Sequence, residues 1–206
     1  MPLEDLELKI GSKRPAGRPR SEASRLSILE TAYSFLKRKP IADISTVHIA
    51  RKAGVSTATV YRWWPTKEAL LLDAFLYKTD HEIVLPGEGR PLERLRDYVL
   101  QIGRFFTGKN GIVVARLITA IQDNSLLRKE FVRRVYSPRD REGRALVRQA
   151  IEERQLPAGT DVGLLLDAVV GPLLSRLLLR HEKLDEDFVR AVYDHVIASA
   201  AGRAAS

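Results

Sequence analysis

The chain has 206 residues, with 34 Lys plus Arg against 26 Asp plus Glu, a net charge of +8, 45% hydrophobic residues and no cysteine. That length suffices for one large or two small cores and excludes disorder throughout, while the missing cysteine excludes disulfide scaffolds, thiolate metal sites and cysteine nucleophiles. No uninterrupted apolar run reaches the roughly 18 residues of a membrane span, and the N-terminus lacks the basic-then-apolar order of a signal peptide, so a cytoplasmic location is expected.

Residues 1–8 carry acids and no base, whereas 9–20 carry Lys9, Lys13, Arg14, Arg18 and Arg20 and no acid. Pro15, Pro19, Gly11 and Gly17 interrupt any regular element there, so 1–20 is read as a flexible basic arm. Two uses fit it: a solubilising tail, or an extended Arg-Pro segment whose Arg14, Arg18 and Arg20 enter an electronegative minor groove.

From residue 21 onward the apolar spacing is helical and no strand pattern emerges, so the fold is expected to be all-α, with about nine helices. Ile28, Leu29, Ala32, Phe35 and Leu36 mark the first helix, ended by Pro40. Ser45 is placed to cap a short second helix, with Ile44 and Ile49 as a hydrophobic staple. Ala53-Gly54-Val55-Ser56 then supplies a glycine turn and a cap for a third helix, Thr57 to Trp63. Two short helices joined this way make a helix-turn-helix. Thr66 caps a fourth helix that carries Leu70, Leu71, Ala74 and Phe75. The Pro- and Gly-rich segment 81–90 reads as a boundary between a DNA-binding domain over 21–80 and a helical domain over 81–206.

Beyond it, Pro91 begins a fifth helix, and Gly111 to Gln122 form a sixth so apolar that it must be central. A seventh spans about Ser125 to Glu153, kinked or broken where Ser137-Pro138 supplies a cap and a first-turn proline. It holds eight bases against three acids between Arg128 and Arg148, spread around several faces as on a solvated helix. The last two helices cover Asp161 to about Arg180 and Asp185 to Ala198.

Residues 44–75, ISTVHIARKAGVSTATVYRWWPTKEALLLDAF, are similar to the DNA-binding domain of TetR/AcrR-type transcriptional regulators. The similarity rests on Ile49-Ala50, Ala53-Gly54-Val55-Ser56, Tyr61, Trp64, Lys67 and Leu70. It departs at Lys39, where a glycine commonly ends the first helix, and at Trp63-Trp64, which replaces a His-Phe-like pair. The resemblance implies that Thr57, Ala58 and Tyr61 lie nearest the base edges, and that Thr46, Thr59, Trp63 and Lys67 hold phosphates. Arg62 belongs to the outward face of the same helix.

A helix of seven residues is only about 10 Å long and reads few base pairs, so two-fold symmetry is expected. The eighth and ninth helices are apolar enough to form an isologous four-helix interface, with Val169, Val170, Leu173, Leu174, Leu177, Val189, Val192, Tyr193 and Val196 as the candidate contacts. Tyr98, Phe105, Phe106, Leu117, Ile121, Phe131 and Tyr136 fit either plain core or the wall of an effector cavity, with Arg116, Thr119 and Gln122 as its polar contacts. Arg116, on so apolar a helix, needs an acid partner or an anionic ligand.

The four histidines show no metal spacing and no catalytic motif is present, so no enzyme, metal or cofactor is expected. The implied function is a DNA-binding transcriptional regulator. It is read as a repressor that binds a palindromic operator as a homodimer and is released by an unidentified small, apolar or amphipathic effector. The alternative is an architectural or adaptor protein that binds DNA without an effector.

Overall fold

The computed structural model describes residues 22–80 and 82–202, and every regular element among them is helical. The basic arm, with Arg14, Arg18 and Arg20, lies outside the described residues. In chain order the helices are α1 (Glu22–Leu36), α2 (Thr46–Lys52), α3 (Thr57–Trp63), α4 (Lys67–Thr79), α5 (Pro91–Phe106), α6 (Gly108–Asp123), α7 (Ser125–Phe131), α8 (Ser137–Glu152), α9 (Val162–Leu179) and α10 (Glu186–Gly202). A π-turn, Val132–Tyr136, joins α7 to α8 without leaving helical backbone, so these ten segments form nine rods.

Local sequence chemistry sets most of the boundaries. Ser56 accepts from the Thr59 amide at 3.1 Å and Thr66 from the Ala69 amide at 3.1 Å, so α3 and α4 both start on side-chain caps. Gly54 takes φ +72° in the turn between α2 and α3, a conformation that favours glycine. Ile44 and Ile49 are both buried, as a staple requires. Ser45 holds the cap position of α2, yet its side chain makes no capping bond. Asp161 accepts from the amides of Gly163 and Leu164 at the start of α9.

Two boundaries differ from the sequence expectation. Helix α6 starts at Gly108, three residues early, because Gly108 adopts φ +74° and turns the chain directly out of α5. The rod over 125–152 is not broken at Ser137 and Ser137 is not a cap, since Tyr136 before it is already helical. Pro138 cannot donate a backbone hydrogen bond, and the turn ahead of it widens instead: the Ser137 amide reaches Val132 O, five residues back. The Arg139 side chain donates to Val135 O at 3.1 Å. At the other end, Asn124 caps α7 through the Leu127 amide at 2.9 Å.

Two cores result. The first gathers Ile28, Leu29, Leu36, Ile49, Val60, Trp64, Leu70 and Leu71 with Val113, Leu117, Leu127 and Val135, so α1–α4 sit directly on α6 and α7. The segment 81–90 divides the chain but not this core. The second core lies between α5, α8, α9 and α10, around Leu95, Leu146, Val169, Leu173 and Val189. There α5 and α10 cross closely at Gly103, where an added Cβ would stand 2.6 Å from Val189 Cγ2. Helix α9 is long and apolar enough to cross a membrane by length and composition alone, but Leu165, Val169, Leu173 and Leu177 are buried within the fold.

Candidate nucleic-acid interface and effector cavity

Val60 is almost fully buried against the first core and fixes the rotation of α3. With that residue inward, Ala58, Tyr61 and Arg62 are exposed and Thr57 is half-buried on the same outward side. Tyr61 is 51% exposed.

The expected phosphate contacts divide by environment. Trp63 is half-buried, with its ring 6.1 Å from that of Trp64 and the Arg25 guanidinium 5.9 Å above it. Lys67, in the first turn of α4, donates to Ile41 O at 3.2 Å, which anchors its ammonium beside the positive end of that helix. The Thr59 hydroxyl is engaged with Ser56 Oγ at 2.9 Å and so belongs to the cap. Thr46 is buried at the start of α2 and turns inward; Val47, 58% exposed, and His48 hold the outer face of that helix instead. Arg25 is a member of this surface that the sequence did not single out, because its pairing with Trp63 spans two helices.

In the C-terminal part, a cavity of about 410 Å³ opens among α4 to α9. Of the residues expected around it, Tyr98, Phe105, Phe106, Phe131 and Tyr136 form its wall, joined by Phe75 from α4 and by Ile102, Val114, Ile118, Leu166, Val170 and Leu174. Arg116, Leu117, Thr119, Ile121 and Gln122 do not line it. Leu117 is fully buried in the first core and Ile121 packs against that core. Thr119 and Gln122 bond back to the carbonyls of Ala115 and Ile118 on their own helix.

Among the described residues Arg116 finds neither an acid nor a cavity. Its guanidinium donates to Leu36 O at 2.5 Å and satisfies a carbonyl at the end of α1 that the helix itself leaves open. The polar groups of the cavity are Tyr98, Tyr136, Arg139, Asp140 and Asp167. Tyr98 donates to the Glu142 carboxylate at 2.6 Å, and burial, reinforced by that carboxylate, drives its ionisation well above the ordinary tyrosine range. Asp140 is clamped by Arg144 at 2.7 Å. Tyr136, Asp167 and Gly171 are exposed and mark the mouth. Among the described residues no group of three or more His, Asp or Glu is arranged to hold a metal ion.

The expected self-association surface also divides. Val169, Leu173, Leu177, Val189 and Tyr193 are buried inside the chain, and Val170 and Leu174 line the cavity. Val192 and Val196 are half-buried. The outward stripe of α9 is made instead by Leu164, Ala168, Gly171, Leu178 and Leu179, the last 72% exposed. A second hollow, of about 430 Å³, follows this stripe to His195, Val196 and Ser199 on α10.

Comparison with known proteins agrees with this geometry. Residues 28–74 match the model for bacterial regulatory proteins of the tetR family, and residues 85–196 match the tetracyclin repressor-like C-terminal domain. YdeS of Bacillus subtilis strain 168, an uncharacterized HTH-type transcriptional regulator, is 32% identical over 179 residues, covering 87% of this chain and 89% of YdeS. The crystal structure of the TetR family transcription regulator SCO0332 superposes with a TM-score of 0.70 at 27% identity, over 86% of this chain and 98% of that one. The fold is also that of FadR from Bacillus subtilis, solved in complex with stearoyl-CoA, with a TM-score of 0.71 at 17% identity over 84% of this chain and 97% of FadR. The helix-turn-helix, the helical domain behind it and these matches over most of the chain together place the protein in the TetR family of bacterial transcriptional regulators.

Proposed function

We propose that this regulator is a repressor that binds a palindromic operator as a homodimer and leaves it when an apolar or amphipathic small molecule occupies the cavity. The observation that carries the reading is the position of Phe75, which lines the cavity from α4, the helix that directly follows the reading helix α3. A molecule that favours one placement of Phe75 therefore favours one placement of the DNA-binding head, and operator affinity falls by its differential affinity for the two. That FadR was crystallised with stearoyl-CoA supports an apolar occupant for a cavity in this fold. An architectural protein without an effector has no use for such a void, since interiors otherwise pack densely.

The outward stripe Leu164, Ala168, Gly171, Leu178 and Leu179 is the dimer surface in this reading. DNA as the target also puts the protein in the bacterial cytoplasm. Selection of bound DNA from a random pool, followed by sedimentation of the complex, tests the proposal. An inverted repeat carrying two copies of the chain is expected; absence of any enriched sequence, or one copy on an asymmetric site, refutes it.

A further inference from the structure

We infer that Asp73 is a positioning residue that couples the cavity wall to the reading helix. This rests on the proposed reading of the head and the cavity, and it adds the polar path between them. One carboxylate oxygen of Asp73 accepts from the Trp64 indole N–H at 2.7 Å. The other is ion-paired with Arg134. Trp64 is the C-terminal cap of α3, one residue past its last helical position, and it is buried. Arg134 lies in the π-turn between α7 and α8, whose neighbours Phe131, Val135 and Tyr136 line the cavity. One carboxylate thus holds the end of the reading helix and the cavity wall at once.

Three features make this a device rather than an incidental pair. The side chains of Arg134 and Asp73 are only 26% and 23% exposed, so their attraction is screened less than that of a surface ion pair. The turn that carries Arg134 departs from α geometry, and π-turns are local deviations that recur at functional sites. Finally, accepting from the Trp64 indole N–H needs the Asp73 carboxylate in one rotamer, and Arg134 selects it. A ligand that displaces Phe131 or Tyr136 moves Arg134, releases Asp73 and loosens Trp64.

The test uses Nile red, an uncharged apolar dye, as the cavity probe, and the DNA recovered by the selection above. The dye's Kd is measured with and without that DNA, for the full chain and for Asp73→Asn, Trp64→Phe and Arg134→Gln. Binding linkage is reciprocal, so the wild type is expected to change its dye Kd by roughly fivefold or more when DNA is bound. In each variant that factor falls to within about twofold of one, although dye and DNA each still bind alone. Arg134→Lys keeps the charge and restores part of the coupling, which a purely structural role would not require. Arg134→Gln keeps the Asp73 and Trp64 side chains themselves and removes only the ion pair, so it stands as the test if Asp73→Asn misfolds. Variants as strongly coupled as the wild type overturn the relay alone. A wild type that binds dye and DNA independently overturns the relay together with the effector reading.

Discussion

Leu117 and Ile118 are adjacent on α6, yet the fold gives them different tasks, and substituting each by alanine separates core from cavity. Leu117 is fully buried in the core shared by α1–α4, α6 and α7. Leu117→Ala removes three carbon groups worth about 0.8 kcal/mol each on transfer, about 2.4 kcal/mol together. The sealed hole left behind brings the cost to about 3–5 kcal/mol. For a chain of this size each kcal/mol moves the Tm by about 2–4 °C, so melting followed by circular dichroism is expected to fall by roughly 6–20 °C. Ile118 already faces the cavity, so Ile118→Ala opens no new hole and costs about 1–2 kcal/mol of transfer energy. Nile red affinity should respond in the opposite order, changing in Ile118→Ala and holding in Leu117→Ala. Equal losses of Tm in the two variants, or a larger dye effect in Leu117→Ala, would show that the cavity is drawn in the wrong place.

Other consequences follow from single residues. Tyr61→Ala removes an exposed ring from the outward face of α3; operator affinity by fluorescence anisotropy is expected to fall by about 1–3 kcal/mol, with no change in Tm, if the ring meets base edges. Leu178→Asp places a charge on the exposed stripe of α9 and should convert the proposed dimer to monomer in sedimentation while leaving the helical content intact. Burial, with a smaller contribution from the Glu82 carboxylate, pushes the Tyr33 phenol up to about 12, from an ordinary value near 10. The folded state therefore holds this proton more tightly than the unfolded chain. The stability it contributes is complete below about pH 10 and is lost as pH rises toward 12, by up to about 2–3 kcal/mol. Urea midpoints of the wild type should fall relative to Tyr33→Phe over that window, and a constant difference between the two would contradict it.

The head was legible in the sequence because its signals are local. The turn at Gly54, the caps at Ser56 and Thr66 and the staple Ile44–Ile49 each act within a few residues, so composition and spacing suffice. The cavity was legible only in part. Helix α6 is apolar on both sides, which says that it is central but not which side meets a void, and so Leu117 and Ile121 were grouped with residues that do line it. The same ambiguity governs α9: Leu and Val on every side conceal that Val169, Leu173 and Leu177 turn inward while Leu164, Leu178 and Leu179 turn outward. The Asp73–Arg134 pair spans 61 residues and has no local signature. An acid flanked by Leu72 and Ala74 on an apolar helix was the available clue that some base must come from elsewhere.

Helix α4 is held in two ways that lie on nearly opposite sides of it. Asp73 and Phe75 are two positions apart, and at 3.6 residues per turn that spacing separates their side chains by about 200° around the axis. Phe75 packs edge-on against Phe105 with ring centroids 6.0 Å apart, while Asp73 pairs with Arg134. A rotation of α4 about its axis therefore strains both contacts at once. Tilting α4 relative to α6 while it stays seated on α1 can relax one contact before the other. A ligand in the cavity touches Phe75 and Phe105 directly, and reaches Asp73 only through the π-turn. On the proposed coupling, packing at Phe75 sets how far the head moves, and the ion pair sets whether the end of α3 moves with it.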